Sequence, residues 1–324
     1  MNNDLKSIEI YPKIVVYKNI FKDVQKNYEI LKKSFENSGK NFLGEWQTWS
    51  QFGQYIPDLL SSYYRDQLIS SVPLSEHENS LDYDYLEKLN CNNKTSEDEK
   101  NFILEIFNGF NIATQDYANR YNIILDKKEL VRDKNNNLIK LWRKMGPGIA
   151  RYREDISLNR KGERHNLAMT YHTDYVREPI VSPGYKFAIT ALVYFNDDYE
   201  GGEIDFAVGN DLYKYKPEAG DYLLFPSGHP EILNFNDSIL LHASLLPNGP
   251  AKYISRMYWQ KYDSGSKEWY EKEKEFGKDV WAEMQLEIMS KFRSDNPNKT
   301  KFLNKNRIQW ALLQKKNLLK MVLK

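Results

Sequence analysis

Short apolar runs separated by turns dominate the middle of the chain. Residues 187–195 (FAITALVYF) form a continuous apolar and β-branched run that is long enough for a buried strand. Shorter runs follow at residues 203–207, 221–225, 239–246 and 252–259. Acidic, Gly-Gly and Pro/Gly segments separate them. Consecutive short strands joined by turns predict a small antiparallel barrel.

Helical periodicity brackets this strand-rich centre. Residues 21–35 and 100–121 have the apolar spacing of helices, and residues 8–16 predict one entry strand. Residues 41–70 are rich in aromatic side chains, which favours packing against the barrel; a wall for an organic or peptide substrate is the alternative. The predicted fold class is an all-β core with flanking helices, α+β overall.

The C-terminal part of the chain has a different character. From residue 263 onward the apolar spacing is helical, and the last thirty residues hold eight Lys/Arg against one acid. We expect this basic amphipathic tail to dock on its own domain or on a second copy of the chain, rather than on a membrane or nucleic acid. We therefore predict a domain at residues 1–262, with strand and helices in 1–135 and the β core in 136–262, followed by a helical extension at 263–324.

Composition narrows the class of protein. The chain has 324 residues, 41% of them hydrophobic, which is enough for a sizeable core. A net charge of +1 gives no general case for nucleic acid. The single cysteine excludes an intramolecular disulfide and fits a reducing compartment. No stretch has the pattern of a signal peptide or of a membrane span, so we expect a cytoplasmic protein that does not enter a membrane.

Two histidines and an aspartate carry the most specific chemical signal. His172 and Asp174 are separated by one residue in a strand-like run, and alternate residues of a strand point to the same face. His242 follows in a later apolar run. Two imidazoles and one carboxylate form the facial triad of non-haem Fe(II) sites, which leaves positions open for a co-substrate and O₂. These residues predict a mononuclear iron site.

The order of motifs around this site resembles a known family. The segment from about residue 141 to 261 is similar to the core of the Fe(II)/2-oxoglutarate-dependent dioxygenases, in their prolyl-4-hydroxylase-like branch. The resemblance implies their double-stranded β-helix, a jelly-roll or cupin-like barrel. It rests on His172-x-Asp174, VYFND (193–197), GGEIDF (201–206), PEAGDYLLFPS (217–227), and His242 with Lys252 ten residues later.

The resemblance also implies the roles of individual residues. His172, Asp174 and His242 would bind Fe(II), and Lys252 would pair with the distal carboxylate of 2-oxoglutarate. Tyr194 matches a position where the family places a hydroxyl on that carboxylate. The implied activity is an oxygenase, in first place a hydroxylase, that uses 2-oxoglutarate and O₂ and forms succinate and CO₂. Ascorbate is a further candidate cofactor.

A second basic residue competes with Lys252 as the anchor. If residues 247–250 turn a hairpin, His242 lies opposite residue 254, and Lys252 is a diagonal neighbour about 7 Å away. Arg256 lies diagonally on the other side, and its guanidinium fork could instead clamp an acidic substrate. The ten-residue spacing favours Lys252 over Arg256.

Three segments depart from the family pattern. The stretch Lys144–Gly148 stands where the branch usually has a tyrosine beside a Gly-rich turn, which leaves that co-substrate contact open. The charged segment at 153–171 and the stretch at 229–237 are longer than the family spacing. Because both extensions border the metal site in such a barrel, they are candidates for a substrate lid.

Three other histidines and two other functions are compatible with parts of the sequence. His229 is the alternative distal ligand, but it lies in a Gly-His-Pro turn without a basic residue ten positions later. His165 and His77 follow charged segments and are expected at the surface. The rival functions are a cupin-like metal-binding module without 2-oxoglutarate turnover and an inactive oxygenase fold that serves interactions. The expected substrate is a small molecule or a peptidyl side chain, and a homo-oligomer could form through the C-terminal helices.

Overall fold

A computed structural model gives the structure of segments of the chain between residues 5 and 262. The residues that it describes are 5–37, 45–51, 63–69, 97–125, 129–133, 135–153, 167–172, 174, 185–208, 211–227 and 241–262. Within some strands only the backbone is described, which applies to His172 among others. The C-terminal extension predicted at 263–324 lies outside the described residues.

Strands outnumber helices in the described part of the chain. The helices are α1 (Val24–Glu36) and α2 (Glu97–Arg120), and within the described residues neither is apolar enough along its length to cross a bilayer. The strands are β1 (Lys6–Tyr11), β2 (Ile14–Lys18), β3 (Glu45–Gln51), β4 (Tyr63–Ile69), β5 (Leu130–Arg132), β6 (Leu138–Lys140), β7 (Trp142–Tyr152), β8 (Leu167–His172), β9 (Tyr185–Tyr194), β10 (Glu200–Gly201), β11 (Ile204–Val208), β12 (Asp211–Tyr215), β13 (Tyr222–Pro226), β14 (Leu241–Leu245), β15 (Pro247–Asn248) and β16 (Lys252–Tyr262).

The strands form two large antiparallel sheets. The major sheet has eight strands in the order β1-β2-β13-β9-β16-β7-β4-β3, and the minor sheet has four in the order β12-β11-β14-β8. Two further pairs, β10 with β15 and β5 with β6, form small ladders of their own. Among the described residues no ladder joins the major and minor sheets, so these strands do not close into the predicted barrel. The all-β core with flanking helices is confirmed, and the double-stranded β-helix stays a prediction.

Each face of the major sheet has its own apolar core. On one face, Val193 and Met257 belong to a cluster with Leu31 and Phe110 of the two helices. The other face, which we call the inner face, carries Leu192, Tyr194 and Ile254 of the major sheet in a cluster with Ile204 and Phe206 of the minor sheet. Each such side chain contributes about 1.5–3 kcal/mol when it leaves water. The minor sheet therefore packs on the inner face, and the helices pack on the other.

Local sequence signals explain the helices and how they dock. The carboxylate of Asp23 accepts the backbone N–H of Lys26 at 2.9 Å, which caps α1. In α2, Gly109 faces Tyr222 of β13, where a Cβ atom would come within 2.0 Å of the tyrosine oxygen. The glycine therefore allows α2 to lie directly on the major sheet.

Of the predictions made for the N-terminal region, the single strand is wrong and the helices are confirmed. The predicted single strand at residues 8–16 is wrong: a turn at Pro12 and Lys13 divides it into the hairpin β1–β2, and Lys13 adopts a φ of 66°. The helices expected at 21–35 and 100–121 are confirmed within a few residues. In the aromatic segment, β3 and β4 extend the edge of the major sheet, and Trp46 is buried against α1 through a 3.0 Å hydrogen bond to Ser34.

Candidate functional site

The two predicted iron-binding histidines lie on neighbouring strands. In the minor sheet β14 pairs with β8, and His242 lies directly opposite His172 in this ladder. Opposite residues of antiparallel strands have Cα atoms about 4.5–5.5 Å apart. On its other side His242 is opposite Phe206 of β11, whose ring belongs to the cluster between the sheets. The register therefore brings the backbones of both histidines to the same point of the minor sheet.

Asp174 completes the described part of the cluster from outside the strand. Its carboxylate oxygen Oδ2 lies 3.5 Å from Nε2 of His242, and both side chains are buried. The prediction that Asp174 continues the strand of His172 is wrong, because β8 ends at His172 and Asp174 lies in a bend. The bend, rather than strand alternation, brings the carboxylate to the imidazole.

A hydroxyl group that was not predicted from the sequence holds this carboxylate, and a second hydroxyl group contacts the first. Thr190 of β9 donates from Oγ1 to Oδ2 of Asp174 at 2.8 Å. The same oxygen of Thr190 lies 2.7 Å from Oγ of Ser227, and both residues are buried. A carboxylate held by a hydrogen bond keeps a fixed orientation toward a metal ion. The available signal was a single threonine within the otherwise apolar run FAITALVYF.

Aromatic rings surround the other side of His242. The ring of Phe225 lies 4.8 Å from the imidazole centroid and that of Phe206 lies 6.1 Å from it, and both phenylalanines are fully buried. Apolar walls of this kind exclude water and strengthen electrostatic interactions in the space they enclose. The Asp174–His242 pair therefore lies in a dry environment between the two sheets.

Lys252 is a fully buried cation close to this pair. Its ammonium donates to Oγ of Ser244 at 2.7 Å, to the carbonyl oxygen of Gly202 at 3.0 Å and to that of Leu245 at 3.3 Å. Burial, together with the charge of Lys216, lowers the pKa of Lys252 to about 7, although Glu203 acts in the opposite direction. No carboxylate among the described residues lies within 4 Å of this ammonium. All its described hydrogen-bond partners are neutral groups.

The route by which Lys252 approaches the metal residues differs from the prediction. The predicted hairpin between the strands of His242 and Lys252 is wrong, because β14 lies in the minor sheet and β16 lies in the major sheet. Residues 247–248 pair with β10 instead. The Lys252 side chain crosses between the sheets to Ser244, two residues after His242 on β14, a separation of about 7 Å along a strand. The distance from Lys252 to His242 stays a prediction.

Two tyrosines lie beside Lys252 on the inner face. Tyr152 of β7 is opposite Lys252 in the major sheet, and the ammonium lies 5.4 Å from its ring centroid. The sequence analysis did not select Tyr152, although it ends a strand directly before the charged segment. Tyr194 is fully enclosed in the same cluster, and burial raises its pKa well above the usual value. Its contact with a co-substrate stays a prediction.

Arg256 occupies the same face closer to Asp174. It is opposite Gly148 of β7 and Leu192 of β9 in the major sheet, and it is only partly exposed. Burial acts to lower the pKa of Arg256, but Tyr258, Tyr152 and Asp174 outweigh it and raise the pKa above its usual value. Lys252 and Arg256 thus occupy separate positions along β16, the first fully buried and the second partly exposed.

The donor set fits a mononuclear Fe(II) centre as far as the structure describes it. Asp174 and His242 provide a carboxylate and an imidazole at a separation that one ion can bridge, and His172 is in register with His242. Among the described side chains there is no cluster of three metal-binding groups, since that of His172 is not one of them. The alternative ligand His229, together with His165 and His77, lies outside the described residues, as do the extensions at 154–166 and 229–237.

Comparisons with known proteins add similar solved structures. No family model and no curated protein matches the chain. The chain is similar to a viral collagen prolyl hydroxylase from Paramecium Bursaria Chlorella virus-1 in its 2OG complex, with 15% identity and a TM-score of 0.39 over 77% of this chain and 96% of that one. It is also similar to a prolyl hydroxylase from Trichoplax adhaerens in complex with a hypoxia inducible factor peptide fragment, with 8% identity and a TM-score of 0.41 over 77% and 84%.

A third similar structure is the dioxygenase for auxin oxidation 1 from Arabidopsis thaliana in its 2-oxoglutarate complex, with 10% identity and a TM-score of 0.45 over 76% of this chain and 82% of that one. Two of these structures are prolyl hydroxylases and the third is a dioxygenase, which are enzymes of the kind that the sequence resembles. Because all three TM-scores lie below 0.5, the overall superposition is loose. The function must therefore be argued from the residues of this chain.

Proposed function

We propose that this protein is an Fe(II)- and 2-oxoglutarate-dependent oxygenase, most specifically a hydroxylase. The observation that carries the proposal is the buried ammonium of Lys252, which has no described carboxylate partner and contacts Ser244 close to the Asp174–His242 pair. Burying a cation without an anion is costly, so such a site favours an anionic ligand. A diacid anchored at this ammonium would extend toward a metal ion at the pair, since Ser244 lies two residues after His242 on β14.

The chain's own residues would perform binding and orientation. His172, Asp174 and His242 would hold Fe(II), with Thr190 fixing the carboxylate of Asp174. When bound, Fe(II) supplies the redox chemistry that couples oxidation of 2-oxoglutarate by O₂, which yields succinate and CO₂, to oxygenation of a substrate. Lys252 would exchange its neutral acceptors for the distal carboxylate.

The surroundings of this site suit an anionic co-substrate. Tyr152 and Tyr194 lie on the inner face beside Lys252, where their hydroxyl groups could donate to the same carboxylate. Phe206 and Phe225 would exclude water from the metal site. In this dry setting one charge-assisted hydrogen bond counts for more than it does in water. We propose a small-molecule or peptidyl substrate, and a cytoplasmic location stays a prediction.

The test measures binding of the co-substrate and its turnover separately. Anaerobic protein is loaded with Fe(II), titrated with 2-oxoglutarate while the absorption band of the Fe(II) chelate is recorded, and then exposed to air for measurement of succinate. We expect His172→Ala to lose the band and turnover. Lys252→Met should weaken 2-oxoglutarate binding about tenfold to a hundredfold, the loss expected for a charge-assisted contact.

Lys214→Met is the matched control, because Lys214 lies on β12 with a half-exposed side chain that reaches Asp205 at 3.9 Å. It should leave the absorption band and succinate formation unchanged. A wild-type protein that binds Fe(II) but gives no chelate band with 2-oxoglutarate would overturn the proposal. That result would favour the cupin-like metal-binding module, for which the donor set is the supporting observation.

A further inference from the structure

Arg256 is a second cation of the inner face that the proposed chemistry does not use. It precedes Tyr258 by two residues on β16, and Tyr258 lies opposite Thr190, the residue that donates to Asp174. Tyr258 is held by stacking on Phe187, with ring centroids 4.4 Å apart and planes 7° from parallel. The register therefore places Arg256 two residues along β16 from the position opposite Thr190, whose hydroxyl group donates to Asp174.

The side chain of Arg256 lies over a glycine of β7. Its strand partner there is Gly148, which has no side chain, and a Cβ atom built on that glycine would lie 3.7 Å from Nε of the arginine. Among the described residues no carboxylate lies within 4 Å of the guanidinium, although Asp174 attracts it from farther away. The guanidinium donates a hydrogen bond to the hydroxyl group of Tyr258, and its other N–H groups can donate to a ligand.

The summed charges of the metal, the co-substrate and the surrounding side chains leave one positive charge without a negative counterpart. This step rests on the proposed function, in which Fe(II) carries two positive charges, 2-oxoglutarate two negative charges, Asp174 one negative charge and Lys252 one positive charge. These four charges cancel, whereas Arg256 adds a further positive charge in a site with dry walls. A single negative charge from the substrate would balance it, and a planar carboxylate matches the guanidinium fork with two parallel hydrogen bonds.

Exposure separates the roles of the two cations. Lys252 is 1% exposed, whereas Arg256 is partly exposed. Four residues of strand, about 13 Å, separate their backbones. A co-substrate anchored at the more deeply buried Lys252 would leave the guanidinium of Arg256 for the substrate.

We propose that Arg256 binds a carboxylate of the substrate and so restricts this oxygenase to substrates that carry one negative charge near the oxidised carbon. The substrate class is therefore a carboxylic acid, such as an amino acid derivative or a peptide with a suitably placed acidic group.

The test uses full-length protein with Mn(II) in place of Fe(II), saturated with 2-oxoglutarate. The probes are N-acetylated alanine, proline and phenylalanine, each compared with its carboxamide, and the readout is the paramagnetic relaxation of the probe's acetyl protons. We expect carboxylates to bind about tenfold tighter than amides, a difference of about 1.4 kcal/mol. In Arg256→Gln this difference should vanish while the Kd of 2-oxoglutarate changes less than about threefold, which is under 1 kcal/mol.

Two further variants test whether an effect of Arg256→Gln is due to loss of the guanidinium. Arg256→Lys keeps the charge without the fork and should retain part of the preference, which also covers a failure of Arg256→Gln to fold. Arg151→Gln is the control, because Arg151 also lies on the major sheet but stacks on Phe35 at 3.9 Å, on the helix side. It should leave both affinities unchanged.

Three results would overturn the inference in different ways. Equal binding of carboxylates and amides by the wild type, or a preference that survives in Arg256→Gln, would remove the substrate role of Arg256. A loss of 2-oxoglutarate affinity in Arg256→Gln as large as that in Lys252→Met would make Arg256 a co-substrate anchor instead. If the wild type binds no 2-oxoglutarate, the proposed function fails first, and the inference fails with it.

Discussion

The buried charge of Lys252 should lower the stability of the fold, whereas the same charge is proposed to bind the co-substrate. Its pKa of about 7 lies below the ordinary value of 10.5, so between these pH values the unfolded chain binds more protons than the folded one. The free energy of unfolding should therefore rise with pH between about 7 and 10.5, by at most about 1.4 kcal/mol per pH unit. As the pH falls back to about 7, the stability gained over this range is lost.

Removal of the charge should thus stabilise the fold while it impairs binding. We expect Lys252→Met to raise the free energy of unfolding at pH 7 by about 1–4 kcal/mol, as replacement of buried charges by apolar groups often does. Urea denaturation of both proteins at several pH values measures this, and the gain should shrink toward pH 10. A variant less stable than the wild type at pH 7 would mean that the three hydrogen bonds outweigh the cost of burial.

The same pKa predicts how co-substrate affinity depends on pH. Above pH 7 the amine of Lys252 is increasingly neutral in the free protein, so binding of 2-oxoglutarate requires uptake of a proton. We expect the Kd of 2-oxoglutarate to rise by up to about tenfold per pH unit above pH 7 and to be flat below it. Calorimetry in two buffers of different ionisation enthalpy would detect the proton. The Lys252→Met variant should show weak, pH-independent binding; a sloped Kd in this variant would assign the proton elsewhere.

Thr190 offers a test of the metal site that leaves the predicted ligands intact. Thr190→Val keeps the shape of the side chain but removes the hydrogen bond to Asp174. Loss of such a supporting contact typically costs about tenfold to a hundredfold in metal affinity. Mn(II) binding, followed by electron paramagnetic resonance, measures the change.

The control for Thr190 is another buried hydroxyl of the major sheet. Ser255 is fully buried, and its oxygen has no hydrogen-bond partner among the described residues. Ser255→Ala should leave Mn(II) affinity unchanged. Equal losses in both variants would indicate a general effect of the sheet rather than positioning of Asp174.

At the scale of elements, the contact of α2 with β13 depends on one glycine. A methyl group at Gly109 would lie 2.0 Å from the oxygen and 2.4 Å from Cζ of Tyr222, and 2.9 Å from Ile20. Tyr222 is fully buried, so it cannot simply move aside. We expect Gly109→Ala to destabilise the protein by about 1–3 kcal/mol through overpacking, despite the better helix propensity of alanine.

A double variant assigns this cost to the helix–sheet contact. Tyr222→Phe removes the oxygen nearest to the added methyl group, so combining it with Gly109→Ala should recover part of the lost stability. Denaturation midpoints of the two single variants and the double variant give the coupling. Strict additivity would mean that the two residues do not meet as the structure describes.

Elements were predicted from the sequence more accurately than their pairing. The run predicted at residues 187–195 is β9 (Tyr185–Tyr194), and that at 221–225 is β13 (Tyr222–Pro226). Apolar runs determine where a strand lies and which of its faces is buried. The alternation of side chains along a strand does not indicate which other strand it pairs with. The strands of His242 and Lys252 were therefore paired wrongly, although turn residues connect them.

In the site, too, the sequence predicted the types of the functional residues better than the residues they contact. The sequence predicted Asp174 and His242 as neighbours, and the structure brings them within 3.5 Å. It did not indicate Thr190 or Ser227, because a hydroxyl in an apolar strand has no spacing rule that marks its partner. Their contact joins β9 to the residue that follows β13, which only the sheet register reveals.

At the scale of the whole molecule, the proposed site requires both sheets at once. His242 and Ser244 come from the minor sheet, whereas Thr190 and Lys252 come from the major sheet. The only described links from the minor sheet to Lys252 are short hydrogen bonds across the interior. Binding of a co-substrate between the sheets should therefore stabilise the entire fold, since it binds the folded state alone.

The predicted boundary at residue 262 can be tested on the same grounds. Strand β16 ends at Tyr262, which pairs with Tyr185 of β9 and packs on its ring at 5.3 Å. All residues of the proposed site precede this point. We expect a chain ended after Gly265 to fold and to bind 2-oxoglutarate with a Kd within about threefold of the full chain, a change under 1 kcal/mol.

The removed segment should affect assembly instead of the site. Its basic amphipathic pattern predicts docking on the chain itself or on a second copy, so light scattering of both proteins should give a smaller assembly for the shortened chain if the full chain is oligomeric. Loss of 2-oxoglutarate binding in a shortened chain that keeps its β-rich circular dichroism would contradict the predicted boundary. It would mean that residues beyond 265 complete the site, because the fold that carries Lys252 and His242 would still be present.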